Sequence, residues 1–212
     1  MATVSFYVDG FNLYHAINGL HRPQLKWLNL RELAISFLEK EDTLAGVTYF
    51  TARMVWNPQK LQRHREYINA LIAHDVAVVE SKFLRTNKYC NGYEQYCDFY
   101  EEKQTDVAIA VRVLSDAYAG LMERVVLVTA DSDQVPLLRE LAKTFPSLEV
   151  HIAAPPRRMR EARELCSIAT RHSEISAGRL SACLMARSVV DHSGRVVARC
   201  PASYLPDGDA EP

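Results

Sequence analysis

The sequence has no excess of charge of either sign. It carries 25 Lys and Arg against 26 Asp and Glu, a net charge of −1 and a pI of about 6.7. No global basic field therefore advertises nucleic acid, although a local patch could still bind it. No apolar run reaches membrane-spanning length, and no charged segment leads into an apolar one at the start. The five cysteines are odd in number and irregular in spacing. Cys90 and Cys97 stand at C-x6-C with no second pair beside them, so structural zinc lacks its usual four ligands. A reducing, cytoplasmic setting is expected. No G-x-G-x-x-G follows the first apolar run, which removes the fingerprint of a dinucleotide-binding enzyme.

What is present is an alternation. At 212 residues and 48% hydrophobic content, the chain can bury one substantial core. Short β-branched and aromatic runs read as strands at Thr3–Asp9, Ala45–Met54, Val76–Leu84, Arg124–Ala130 and Ser147–Ala154. Between them, apolar residues recur at helical spacing over Asn29–Lys40, Asn57–Asp75, Thr105–Gly120 and Ser132–Thr144. The stretch Thr86–Lys103 is polar, aromatic and irregular, and reads as a long loop. Strands alternating with helices predict an α/β fold, a mainly parallel sheet covered on both faces. Near Ala177 the character changes. Ala186–Cys200 reads as a small hairpin around a Ser-Gly turn, and the Pro- and acid-rich end as a loose tail.

Acids gather where such a sheet binds ligands. The first strand ends in Asp9, followed by Gly10. In "VVLVTADSDQVPLLRELAK" an apolar strand runs into Asp131 and Asp133 just before a helix. Asp106 opens the helix of "KQTDVAIA". In a doubly wound sheet these positions can converge on one crevice at the carboxyl ends of the strands. Taken singly, Asp131, Asp133 and Asp106 could cap helices or complement their dipoles. Asp9 is harder to explain that way, because a carboxylate at a buried strand end needs a partner. Two carboxylates about 4 Å apart repel by about 4 kcal/mol at an effective dielectric near 20, so a cluster of four implies a cation. Oxygen-rich sites of this kind suit Mg²⁺ or Mn²⁺.

The blocks "FYVDGFNLYHAI", "EEKQTDVAIAVRVLSDAY" and "TADSDQVPLLREL", in that order, resemble the NYN domain family, a branch of the PIN-like nuclease superfamily. The resemblance spans roughly Thr3 to Ser176, and the C-terminal hairpin resembles an extension found after some bacterial NYN domains. It implies a PIN-like Rossmannoid sheet over residues 1–176, an extension over 177–212, and metal-dependent endoribonuclease activity on RNA. It places the acidic site at Asp9, Asp106, Asp131 and Asp133, with Asn12 and Lys103 nearby. Asp9, Asp106 and Asp131 are the expected direct or water-mediated ligands of Mg²⁺ or Mn²⁺, which would activate water and stabilise the leaving oxygen.

Other residues keep two readings each. Asn12 could bind the scissile phosphate or position Asp9, or simply belong to the turn of the next helix. Lys103 could contact phosphate or pair with Glu101 or Glu102. Arg157 and Arg158, in "PPRRMREARELC", could track phosphate or form a solvated face answered by Glu161 and Glu164. The tyrosines of Thr86–Lys103 could stack bases or pin that segment to the domain. The alternative function is a catalytically weak RNA-binding or scaffold module of the same fold. A haloacid-dehalogenase-type phosphatase would need a second acid two residues after Asp9, where Phe11 stands.

Overall fold

A computed structural model describes residues 1–205. Its centre is β1 (Thr3–Asp9), buried on both faces from Val4 onward. Parallel neighbours flank it: β2 (Thr43–Ala52) on one side and β5 (Arg124–Val128) on the other. With β3 (Val76–Cys90), β4 (Gln95–Lys103), β6 (Glu149–Ala154) and β7 (Arg171–Glu174), the sheet runs β4-β3-β2-β1-β5-β6-β7. All pairings are parallel except β3 with β4. The chain winds outward from β1 to β3, then returns to β5 and winds the other way. The order therefore reverses between β1 and β5, and a crevice opens at the carboxyl ends of these two strands.

Period-2 alternation divides the core. Val4, Phe6 and Val8 of β1, with Val126 and Val128 of β5, point to one face. There they meet Leu13 and Ile17 of α1 (Gly10–Asn18), Leu30 and Leu33 of α2 (Leu30–Ile35), and Leu71 of α3 (Pro58–Ala73). Tyr7, Val125 and Leu127 point to the other face. They pack on Ile109 and Val113 of α4 (Thr105–Tyr118), Leu138 and Leu141 of α5 (Val135–Thr144), and Leu165 of α6 (Arg163–Ile168). The mostly parallel α/β sheet covered on both faces is the expected one. No helix of the described residues is long and apolar enough to cross a membrane.

Four sequence expectations need correction. Thr86–Lys103 is not a loop: β3 continues to Cys90 and returns as β4. Beyond Ser81, β3 leaves β2 and pairs with β4 alone, so the two form an arm beyond the sheet. Cross-strand pairs such as Arg85–Asp98 at 2.5 Å and Tyr89–Tyr96 hold it. Neither face of its outer part is in the core, so no apolar alternation marks it. The helix expected over Asn29–Lys40 stops at Ile35, where the Ser36 hydroxyl donates to the Leu33 carbonyl. Ser132–Gln134 is a 3₁₀ turn, and α5 starts after it with Pro136 in its first turn. The polar strand β7 adds an edge that the sequence pattern did not reveal, so β6 is not the last strand of the sheet.

After β7, α7 (Ala177–Ala182) places Leu180 against the same core as β1. The expected hairpin forms from β8 (Ser188–Val190) and β9 (Val196–Arg199). It packs through Val189 and Ala198 on Ala70 of α3 and on Trp27. Part of the expected loose tail is ordered: Ala202–Tyr204 forms a 3₁₀ turn, and residues 206–212 lie outside the described residues.

The entry into α1 depends on a missing side chain. A Cβ on Gly10 would lie 2.4 Å from the Phe50 carbonyl oxygen and 2.6 Å from the Tyr49 ring. Backbone is among the atoms it would strike, so α1 would have to move. Gly10→Ala is expected to destabilise the protein by about 1–3 kcal/mol through overpacking. Denaturant unfolding checks this, and a midpoint equal to the parent's would show that α1 tolerates the shift.

Candidate metal centre

Each acid reaches the crevice from a different element. Asp9 is the last residue of β1 and caps α1, its Oδ1 accepting from the Asn12 N–H at 3.0 Å. Asp131 follows β5 and caps the 3₁₀ turn, accepting from the Asp133 N–H at 3.0 Å. Asp106 sits in the first turn of α4. Oxygens of Asp9, Asp106 and Asp131 all lie within 4.8 Å of one another. Capping and clustering thus coexist, because each capping carboxylate offers a second oxygen.

Asp133 is not part of this trio. It is exposed, although its charge reaches Asp106. Asn12 lines the cleft, and its Oδ1 accepts from the Ala130 N–H at 3.0 Å, tying α1 to the segment after β5. Lys103 pairs with Glu101 at 3.0 Å and lies outside the cleft lining. Arg158 lines the cleft and also lies 3.4 Å from Glu161. Arg157 is exposed in a left-handed backbone conformation, its N–H donating to Glu174, and it does not line the cleft.

Three residues that sequence reasoning passed over complete the arrangement. The buried Thr129 hydroxyl donates to Asp9 Oδ2 at 3.0 Å and accepts from the Asp131 N–H at 3.1 Å. One side chain therefore spaces two of the acids. Buried Gln134 donates from Nε2 to Asp106 Oδ1 at 3.1 Å, while its Oε1 is buried without a partner. An unmet buried acceptor is a cost, here accompanying the placement of Asp106. Glu102, on the arm, faces the cleft and accepts from the Thr105 hydroxyl. Thr129 and Gln134 do stand in the quoted "VTADSDQ", but nothing in their type separates them from a strand end and a helix start. Glu102 could be found only by recognising the arm.

The cleft has a volume of about 570 Å³. Acids line its inner end, while Phe11, Phe83 and Tyr100 form an aromatic wall. Tyr100 stacks on Trp56 with ring centroids 3.7 Å apart, and Phe83 meets Trp56 and Phe11 edge-on. These aromatics pin the base of the arm.

Electrostatics mark the site as uncompensated. Burial pushes the Asp9 carboxyl up to about 6, helped by the charges of Asp106 and Asp131 and opposed by the Asn12 and Thr129 hydrogen bonds. Burial likewise raises Glu102 to about 7, with Asp9 and Asp106 adding to it. Asp106 is raised by burial, then by Asp131 and Asp133. Among the described residues, no Lys or Arg forms an ion pair with Asp9, Asp106 or Asp131. At the opposite end of the sheet the contrast is plain. Buried Arg124 is 2.5 Å from both Asp42 and Glu149.

A carboxylate raised by folding binds its proton more tightly in the native state, so its contribution to stability is full below the unfolded pKa. That contribution falls as pH rises from 3.8 to about 6 for Asp9. In metal-free protein, stability is expected to fall across this window by up to about 3 kcal/mol on account of Asp9. Asp9→Asn keeps a capping oxygen, so it should flatten that fall and leave the metal-free protein at least as stable at pH 8. Melting curves against pH decide it. Destabilisation of Asp9→Asn at every pH would show a satisfied structural acid.

The sequence profile of the NYN domain matches residues 3–176. No curated protein matches the chain. Among solved structures, a protein of unknown function from Vibrio parahaemolyticus RIMD 2210633 is similar in fold. It is 16% identical with a TM-score of 0.56, over 87% of this chain and 96% of that one. The profile covers most of the chain and contains all three clustered acids, and on that ground the chain belongs to the NYN domain family of PIN-like nucleases.

Proposed function

We propose that this protein is a Mg²⁺- or Mn²⁺-dependent endoribonuclease that hydrolyses RNA phosphodiester bonds at the acidic cleft. The observation that carries the reading is the trio Asp9, Asp106 and Asp131, gathered at the switch point with no Lys or Arg ion-paired to it among the described residues. Family membership supports the nuclease class. The donor set fits the metal: all oxygen, anionic, and held by Thr129 and Gln134 rather than by cations. Asp9, Asp106 and Asp131 would hold the ion, which when bound supplies an activated water and charge stabilisation at phosphate.

The chain's own residues do the rest. Thr129 fixes the separation of Asp9 and Asp131, and Gln134 fixes Asp106. Asn12 has committed its carbonyl to Ala130, which leaves its amide NH₂ to meet a phosphate oxygen. Arg158 supplies positive charge on the cleft wall. Asp133 adds negative charge near Asp106 from outside the trio. Lys103 and Arg157, away from the cleft lining, would act only on flanking RNA. Residues 1–176 are the proposed catalytic domain and 177–212 its extension, acting in the reducing cytoplasm that five free cysteines suit.

Purified protein incubated with mixed RNAs and Mn²⁺ is expected to cleave internally, and chelator or Asp9→Asn to abolish cleavage. Mg²⁺ or Mn²⁺ at a hundredfold excess over Kd should stabilise the parent by about 2.7 kcal/mol and Asp9→Asn by much less. RNA binding without cleavage, and without any metal-induced shift in melting, would establish the scaffold role instead.

A further inference from the structure

A second cavity, of about 270 Å³, lies beside the acidic cleft. It is bounded by α1, α3 and β2, and shares Phe11, His15 and Met54 with the cleft. The two spaces are thus neighbours across a single line of side chains. The second is the smaller and the more aromatic. Tyr49 and Tyr67 meet edge-on at 5.8 Å in its wall, and the Tyr67 hydroxyl is already committed to the Leu28 carbonyl. Tyr14 and Tyr204 also line it, and both face the Lys26 ammonium, at 5.1 Å and 5.8 Å.

The cavity also carries cations. Lys26, Lys60 and Arg63 line the cavity, and among the described residues none of them forms an ion pair with a carboxylate. A cation also stands on the cleft side of the shared wall. Lys60, lining the cavity, and Arg158, lining the cleft, both act on His15, which borders the two. His64 lines the cavity too and holds Thr51 at 3.1 Å.

We infer that this cavity is a nucleotide subsite, which takes one base of the RNA chain flanking the cleaved bond and holds its phosphate on Lys60 and Arg63. The inference rests on the nuclease reading for its substrate. Three observations converge on it. The volume lies below the range of drug-sized pockets and suits one flat ring system. Aromatic walls bind a base by stacking, which tolerates any base. Cations without a carboxylate partner, beside an aromatic pocket, suit a ligand that carries an anion and a ring together. A purely apolar ligand would leave the cations idle, and a free phosphate would leave the tyrosines idle. A chain threaded from the acids past Phe11 and His15 would reach the cavity.

The test uses the full chain and a fluorescent single-stranded oligouridine, with chelator present to prevent cleavage. Binding is compared with oligomers that carry one abasic ribose at each successive position. For the parent, one position is expected to stand out, with affinity about tenfold weaker when its base is missing. Tyr14→Ala and Lys60→Ala, both exposed positions, should weaken the intact oligomer by a similar factor and abolish that positional difference. A uniform abasic profile, or a positional difference unchanged in both variants, overturns the subsite. Cleavage with Mn²⁺, followed on the same oligomers, separates this from the parent reading. Cleavage with a uniform profile removes the subsite alone. A positional profile without cleavage removes the nuclease alone. No binding to RNA in either assay removes both.

Discussion

A carboxylate buried at the end of the central strand sets the terms for the rest of this structure. Asp9 is 6% exposed, yet among the described residues no Lys or Arg forms an ion pair with it. Its two oxygens are met instead by a backbone N–H and the Thr129 hydroxyl. Neutral donors lessen the cost of burying the charge without removing the charge. The sheet brings Asp131 to the same point because β5 is the direct neighbour of β1. It brings Asp106 from the far side because the arm turns back over the crevice before α4 begins. Every element that ends here adds negative charge. The other end of the sheet settles its acids with Arg124. The difference between these two ends is a difference between charge that stabilises and charge that is held ready.

Much of this was legible in the residues. β1 and β5 are apolar runs buried on both faces, β2 is buried from Val47 onward, and α3 and α4 carry stripes of helical period, so pattern sufficed to place them. The acids stood out because strand ends and helix starts are countable positions. What escaped had no such signature. β7 reads RHSE, a strand made by its neighbour rather than by its own composition. The arm is held by charge and tyrosine pairs on exposed faces, and irregular polarity resembles a loop. Asp133 has the same residue type and nearly the same place as Asp131, yet falls outside the trio, because the 3₁₀ turn carries it outward. Sequence spacing alone does not distinguish a 3₁₀ turn from the first turn of a helix.

The supporting residues follow the same rule. Thr129 matters because its hydroxyl both donates and accepts, and Gln134 because its amide reaches across to α4. Such roles depend on where a partner lies in space. A residue type can suggest them only after the fold is known.

The arm has a further consequence for how the protein keeps to itself. A parallel sheet that ended at β3 would present a row of open backbone groups to solvent. β4 takes that row only from Lys82 to Cys90, beyond the stretch Val76–Ser81 that pairs with β2, and its residues are laced with ion pairs, Arg85 with Asp98 and Lys88 with Glu101. The remaining edge, β7, is only four residues long and carries Arg171, His172 and Glu174. A strand from another molecule would find the arm crowded with charge and the β7 edge too short to hold it. The segment that completes the cleft wall thereby also closes the backbone groups of the β3 extension, so shortening β4 alone would leave Lys82–Cys90 an unpaired strand as well as open the site.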